Sequence, residues 1–202
     1  GNPLRGEAIK ELGRHRQYIR AIAVLRKTLD DSNDILRIMA YESLKKIGRS
    51  SSVMTIPVGD FHLDLVESDG RGLIYATQSE DSRIVLMGKG MSLIRPIYFT
   101  CLQDLLTLNA SKKEKYVTIF RKIGQTGRIS PAFKIAPSAK SLVRAMGHQA
   151  VLGEATLMVP DRGADRKPKR DSDGQIVYKM ANVKGLGLSY GQVVAVLYRL
   201  CK

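Results

Sequence analysis

Apolar residues recur at helical spacing as far as Gly48 and at strand spacing from Val53 onward. This switch, across the stretch GRSSSV at residues 48–53, constrains the chain more than any single motif. A period of 3.6 puts one stripe of a helix against a neighbour, whereas a period of 2 puts alternate residues on one face of a pleated strand. The spacing therefore predicts an α+β chain. A helical segment spans 1–48, a serine linker spans 49–53, and a mainly antiparallel β segment spans 54–202 with two helices in its later half.

The clearest helix is DDSNDILRIMAYESLKKIG, residues 30–48. Asp30, Asp31, Ser32, Asn33 and Asp34 supply side-chain oxygens for the unpaired N–H groups of a helix start, and their charge suits its positive end. Leu36, Met39, Ala40, Leu44 and Ile47 form the apolar stripe, Lys45 and Lys46 fall in the last turn, and Gly48 supplies the stop. An earlier helix carries Tyr18, Ile22, Leu25 and Leu29 on one face. Before it, LRGEAIKEL at 4–12 matches LRIMAYESL at 36–44, an offset of 32 that pairs Leu4 with Leu36, Arg5 with Arg37, Ala8 with Ala40 and Leu12 with Leu44.

The pattern L-R-x-x-A-x-x-x-L, followed by L-K-K-I-G, resembles a HEAT-type repeat of the short, bacterial, lyase-associated kind. The resemblance implies an α-solenoid in which the first and third helices are equivalent, although Gly6 stands where such repeats favour a helix former. A stack of this sort needs about three repeats to bury its core, so the segment reads as the end of a longer array. It also implies a non-enzymatic protein-interaction or scaffold module with a protein partner. The 30–48 helix would then pack on its neighbour and display one face, or dock onto the β segment.

After the linker, strands are expected over 53–57, 61–66, 72–77, 83–87, 96–102, 105–109 and 115–122, separated by turn signals such as VGD, SDGRG, SED and GKG. This spacing fits an antiparallel meander, a sandwich or a small barrel. Helices are expected over 137–147 and 189–201, the second opened by an S-x-x-Q capping box at Ser189 and Gln192. Between them, 150–159 and 175–183 read as a hairpin with a polar, basic tip over 160–174. The run Arg83-Ile84-Val85-Leu86-Met87-Gly88, the Arg95-Pro96 pair and Gly187-Leu188-Ser189-Tyr190 together resemble bacterial envelope proteins, some with flagellar-ring-type names. That resemblance implies a structural component outside the cytoplasm and transfers no functional residue.

Thirty-three basic and nineteen acidic residues leave a net charge of +14. Residues 101–150 carry nine basic against two acidic residues, while residues 51–100 carry four against six. Such an excess favours anionic partners, and nucleic acid or an anionic surface is the alternative to a protein partner. Its contacts would be Arg162, Arg166, Lys167, Lys169 and Arg170. These alternate with Asp161, Asp165, Asp171 and Asp173, so a solvated loop is the expectation there. With 6% aromatic residues and no Trp, little is available for stacking on single-stranded bases.

No catalytic, cofactor-binding or metal-ligating residue is assigned. His15 falls in polar GRHRQ; His62 and Asp64 share a strand face, as a base and its orienting carboxylate would, or as an ordinary polar pair; His148 follows a helix stop. Ser43 to Lys46 matches S-x-x-K but lies within a helix. The D-x-D-G of 171–174 fails as a calcium loop, because Lys169 and Met180 fall where carboxylates are required. Cys101 and Cys201 form no C-x-x-C pair, and they read as two thiols or, in an oxidising compartment, a disulfide. No apolar run approaches the 18 or so residues of a membrane span. Cytoplasm and bacterial envelope both stay open.

Overall fold

The computed structural model describes residues 3–12, 19–48, 52–78, 81–89, 91–103, 105–123, 128–130, 132–148, 156–160, 178–182 and 185–201. Three helices come first: α1 (Pro3–Leu12), α2 (Ile19–Thr28) and α3 (Asp34–Ile47). Of the five candidate capping residues, Asn33 takes the role at α3, its Oδ1 accepting the Ile35 N–H at 2.9 Å. Gly48 closes the helix in the left-handed region at φ 73°, donating its N–H to Leu44 O.

Strands β1 (Val53–Val58), β2 (Phe61–Val66), β3 (Leu73–Thr77) and β4 (Arg83–Met87) form a four-stranded sheet in the order β1-β2-β4-β3. Strands β5 (Ile97–Cys101), β6 (Leu106–Ala110) and β7 (Val117–Ile123) form a second sheet. In it β7 also pairs with the short β8 (Arg128–Ile129) and β9 (Phe133–Ile135). Helix α4 (Ala139–Gly147) follows, then the antiparallel hairpin β10 (Thr156–Pro160) and β11 (Tyr178–Asn182), then α5 (Tyr190–Leu200). At the start of α5, Gln192 Oε1 accepts the Ser189 N–H at 3.1 Å, and Asp60 Oδ2 accepts the Tyr190 N–H at 3.4 Å.

The central strands β2 and β4 of the first sheet are buried on both faces. Phe61, Leu63, Ile84 and Leu86 point into a core shared with Leu108 and Ile119 of the second sheet, Leu142 and Met146 of α4, and Val193 and Val196 of α5. Val66, Val85 and Met87 point the other way, against Leu25, Leu29, Leu36, Ala40, Leu44 and Ile47 of the helical layer. Each Val, Leu, Ile, Phe or Met among them contributes about 1.5–3 kcal/mol on removal from water. Burial on two faces explains why Ile84 to Met87 form an uninterrupted apolar run after Arg83. It also accompanies the one departure from the expected antiparallel pattern: β2 and β4 run parallel, with Asp64 opposite Val85. Strands β8 and β9, of two and three residues, are too short to show a period and were absent from the expectation.

Two glycines permit a close approach of the β1–β2 turn to α4. Gly59, at φ +58° in the β1–β2 turn, has no room for a side chain, since a Cβ there would lie 2.2 Å from Gly147 O. A Cβ on Gly147 would in turn lie 2.6 Å from the Phe61 ring. The turn and the end of α4 therefore pack backbone to backbone.

The offset of 32 brings helices into contact, but not into equal surroundings. Leu36 is 7% exposed, whereas Leu4 is 68% exposed. Arg37 and Ala40 are buried, while Arg5 and Ala8 are exposed. At Gly6 α1 lies close on α3: a Cβ there would sit 3.1 Å from Met39 Cε, the far end of a flexible side chain.

Candidate functional site

Between α3 and the sheet lies a polar joint centred on Asp64, which is fully buried in β2. Tyr41 Oη donates to its Oδ2 at 2.5 Å and Thr55 Oγ1 to its Oδ1 at 2.5 Å. Lys45 Nζ lies 3.1 Å from Oδ2, and Arg83 Nη1 lies 3.3 Å from it. Burial alone pushes the carboxyl up; the hydrogen bonds from Thr55, Tyr41 and Lys45 outweigh it and hold the carboxyl below its ordinary range. Burial, and then the bond to Asp64, pushes the Tyr41 phenol well above its ordinary value. A carboxylate with this many donors is a poor proton acceptor and a good anchor.

His62 does not use Asp64. Its Nδ1 lies 2.8 Å from Asp81 Oδ1, without hydrogen-bond alignment. Arg83 bridges Asp81 and Asp64. The arrangement is thus a chain of alternating charge running along the α3–sheet seam.

A second joint holds the α2–α3 turn to the β2–β3 turn. Arg37 is fully buried, and its guanidinium donates to Leu29 O at 2.9 Å, Asp34 Oδ1 at 3.2 Å and Arg71 O at 2.7 Å. Ser68 Oγ also donates to Leu29 O, and the Asp69 N–H donates to Asp30 Oδ1 at 2.6 Å. Arg71 returns the connection through Asp34 at 2.5 Å, which keeps that carboxyl below its ordinary range. Within SDGRG, Ser68 supplies the turn oxygen, to the Gly70 N–H, and Asp69 pairs with Lys89. Two arginines at the offset of 32 thus reach successive turns: Arg5 pairs with Asp31 at 2.6 Å, and Arg37 reaches the turn containing Arg71.

Two open depressions flank these joints. One, of about 1050 Å³, runs between the end of α2 and the sheet, with Met54 and Leu65 beside Arg26, Lys27, Glu67 and Lys89. The other, of about 450 Å³, is more apolar and is lined by Ile74, Met91, Leu93, Ile94 and Leu200.

Other residues singled out by the sequence are dispersed. Ser43 is buried and donates to Ile9 O at 3.2 Å, tying α3 to α1. His148 closes α4 through its own N–H to Arg144 O, and burial, with Arg144 nearby, pushes its imidazole down. Cys101 is buried, which pushes its thiol up; Cys201 is exposed, and both are free thiols. His15, Asp171, Asp173 and the basic tip residues Arg162, Arg166, Lys167, Lys169 and Arg170 lie outside the described residues. Among the described residues, no three His, Cys, Asp or Glu side chains gather as metal ligands do, and no helix is long and apolar enough to cross a membrane.

Sequence reasoning did not find the Asp64 and Arg37 joints. The available signal was a single charged residue inside an apolar stretch, at FHLDLV and at the Leu36–Ala40 stripe. No protein-family model matches the chain, and comparison with curated proteins and with solved structures finds no significant match.

Proposed function

We propose that the chain is a non-enzymatic protein-interaction or scaffold module. Its helical layer is the contact element and its β-rich body the support. The observation that carries this reading is the contrast between two sequence-equivalent faces. Leu36 and Ala40 are buried in the cluster that α3 shares with its helical neighbours and the sheet, and Arg37 is buried against the β2–β3 turn, whereas Leu4, Arg5 and Ala8 face solvent. The outer face of a helical layer that takes no partner is polar. This one shows Leu4 at 68% exposure on α1 and Ile19 at 84% on α2. The Asp64 and Arg37 joints support the same reading, because they hold the helices in one orientation and so preorganise the outer face.

The test is affinity capture from cells that express the protein, set against a Leu4→Glu/Ala8→Glu variant of equal thermal stability. A defined partner retained at near-stoichiometric yield by the parent and lost by the variant supports the reading. Equal retention by both contradicts it.

A further inference from the structure

Helix α2 divides sharply into two arcs. Ala21, Leu25 and the following Leu29 are buried against α3 and the sheet. The opposite arc carries Ile19, Arg20, Ala23, Val24, Arg26 and Lys27, all exposed. At 100° per residue these six positions fall within roughly 160° of the helix circumference, so apolar and cationic groups interleave on one surface. Ile19 is 84% exposed and Val24 50%. Helix α2 contains no acidic residue. The acids just beyond it are engaged: Asp30 accepts the Asp69 N–H and Asp31 pairs with Arg5. The arc therefore presents apolar area in a positive field.

We propose that this arc docks an acidic amphipathic helix of a protein partner; the proposal rests on the interaction-module reading and names the chemistry of that partner. Ile19, Ala23 and Lys27 follow the i, i+4 ridge of the helix, and the small Ala23 lets a second helix approach to 8–10 Å. Leucines of the incoming helix cover Ile19, Ala23 and Val24. Its glutamates or aspartates meet Arg20 and Lys27. A second copy of this chain does not fit, because two such arcs face to face bring Arg20 and Lys27 against like charges. An anionic lipid surface shares part of this chemistry, and the test separates it.

The probe is a synthetic helical peptide with Leu at i, i+3, i+4 and i+7 and Glu on its flanks, titrated by fluorescence anisotropy against the full chain. Its counterpart has every Glu replaced by Lys, and phosphatidylserine vesicles form a third arm. The expected result is saturable binding of the Glu peptide, weakened by salt. Binding should fall at least tenfold in Arg20→Glu/Lys27→Glu and, independently, in Ile19→Ser/Val24→Ser. The Lys peptide should not bind. Absence of Glu-peptide binding, equal binding of both peptides, or binding that both variants leave unchanged overturns the proposal. So does binding to vesicles alone, or a collapsed thermal transition in the charge variant, which would mark the arc as internal packing. The Leu4→Glu/Ala8→Glu capture experiment is separate from these arms. Partner loss there together with failure here leaves the module reading standing and removes only the acidic helix.

Discussion

Tyr41 Oη sits 2.5 Å from Asp64 Oδ2, joining the middle of α3 to the second strand across the helix–sheet seam. Neither group has a comparable partner within its own element. Removing the hydroxyl leaves the buried carboxylate one donor short. Tyr41→Phe is expected to cost about 1–3 kcal/mol. Urea denaturation measures this, and the slope m should be unchanged because the same surface is exposed on unfolding.

The Asp64 carboxyl is held below its ordinary value of 3.8. A group depressed in the folded state stabilises the fold above its unfolded pKa and loses that contribution as pH falls through the folded value. The parent should therefore lose stability below about pH 4. Asp64→Asn should shallow that limb without removing it, because Asp30, Asp31 and Asp34 are also depressed. Tyr41, raised from 10.0, acts in the opposite sense: its contribution is present below that value and fades above it. Tyr41→Phe should flatten part of the alkaline loss. Thermal melts across pH 2–11 read both limbs.

Arg37 has three acceptors and no solvent exposure. A lysine offers one ammonium where the geometry uses a planar fork. Arg37→Lys should cost about 1.5–3 kcal/mol. It should also speed hydrogen exchange at the amides of Asp69 and Gly70, which are held by Asp30 and Ser68.

Glycine substitutions should separate by sign. Gly147→Ala forces a Cβ to within 2.6 Å of the Phe61 ring and should cost about 1–3 kcal/mol. Gly191→Ala, at an exposed position of α5 with nothing within 4 Å of the new methyl, should stabilise by up to about 1 kcal/mol. Calorimetric melting temperatures should move in opposite directions.

What was legible in the sequence was local. The limits of β2 and β4 follow from turn residues on either side of FHLDLV and RIVLM, and the α5 cap follows from the Ser189 and Gln192 spacing. The parallel pairing of β2 with β4 was not legible, because period and turns describe a strand and not its neighbour. The apolar run Ile84 to Met87 did carry the physical sign of a strand covered on both faces. Asp64 and Arg37 were missed for the same reason. Their donors and acceptors come from Tyr41, Thr55, Leu29 and Arg71, which are distant in sequence and adjacent only after folding. The faces of α1 and α2 were half legible. The offset of 32 marked Leu4, Arg5 and Ala8 as a set, but not that the set would stay in solvent.

The helical layer as contact element is the centre of this account, and hydrogen exchange followed by mass spectrometry tests it most directly. The full chain would be compared alone and saturated with its captured partner. Slowed exchange across Pro3–Leu12 and Ile19–Thr28, with Ile97–Cys101 and Leu106–Ala110 unchanged, is the predicted result. Protection confined to the second sheet, or no difference in the first two helices, would contradict it.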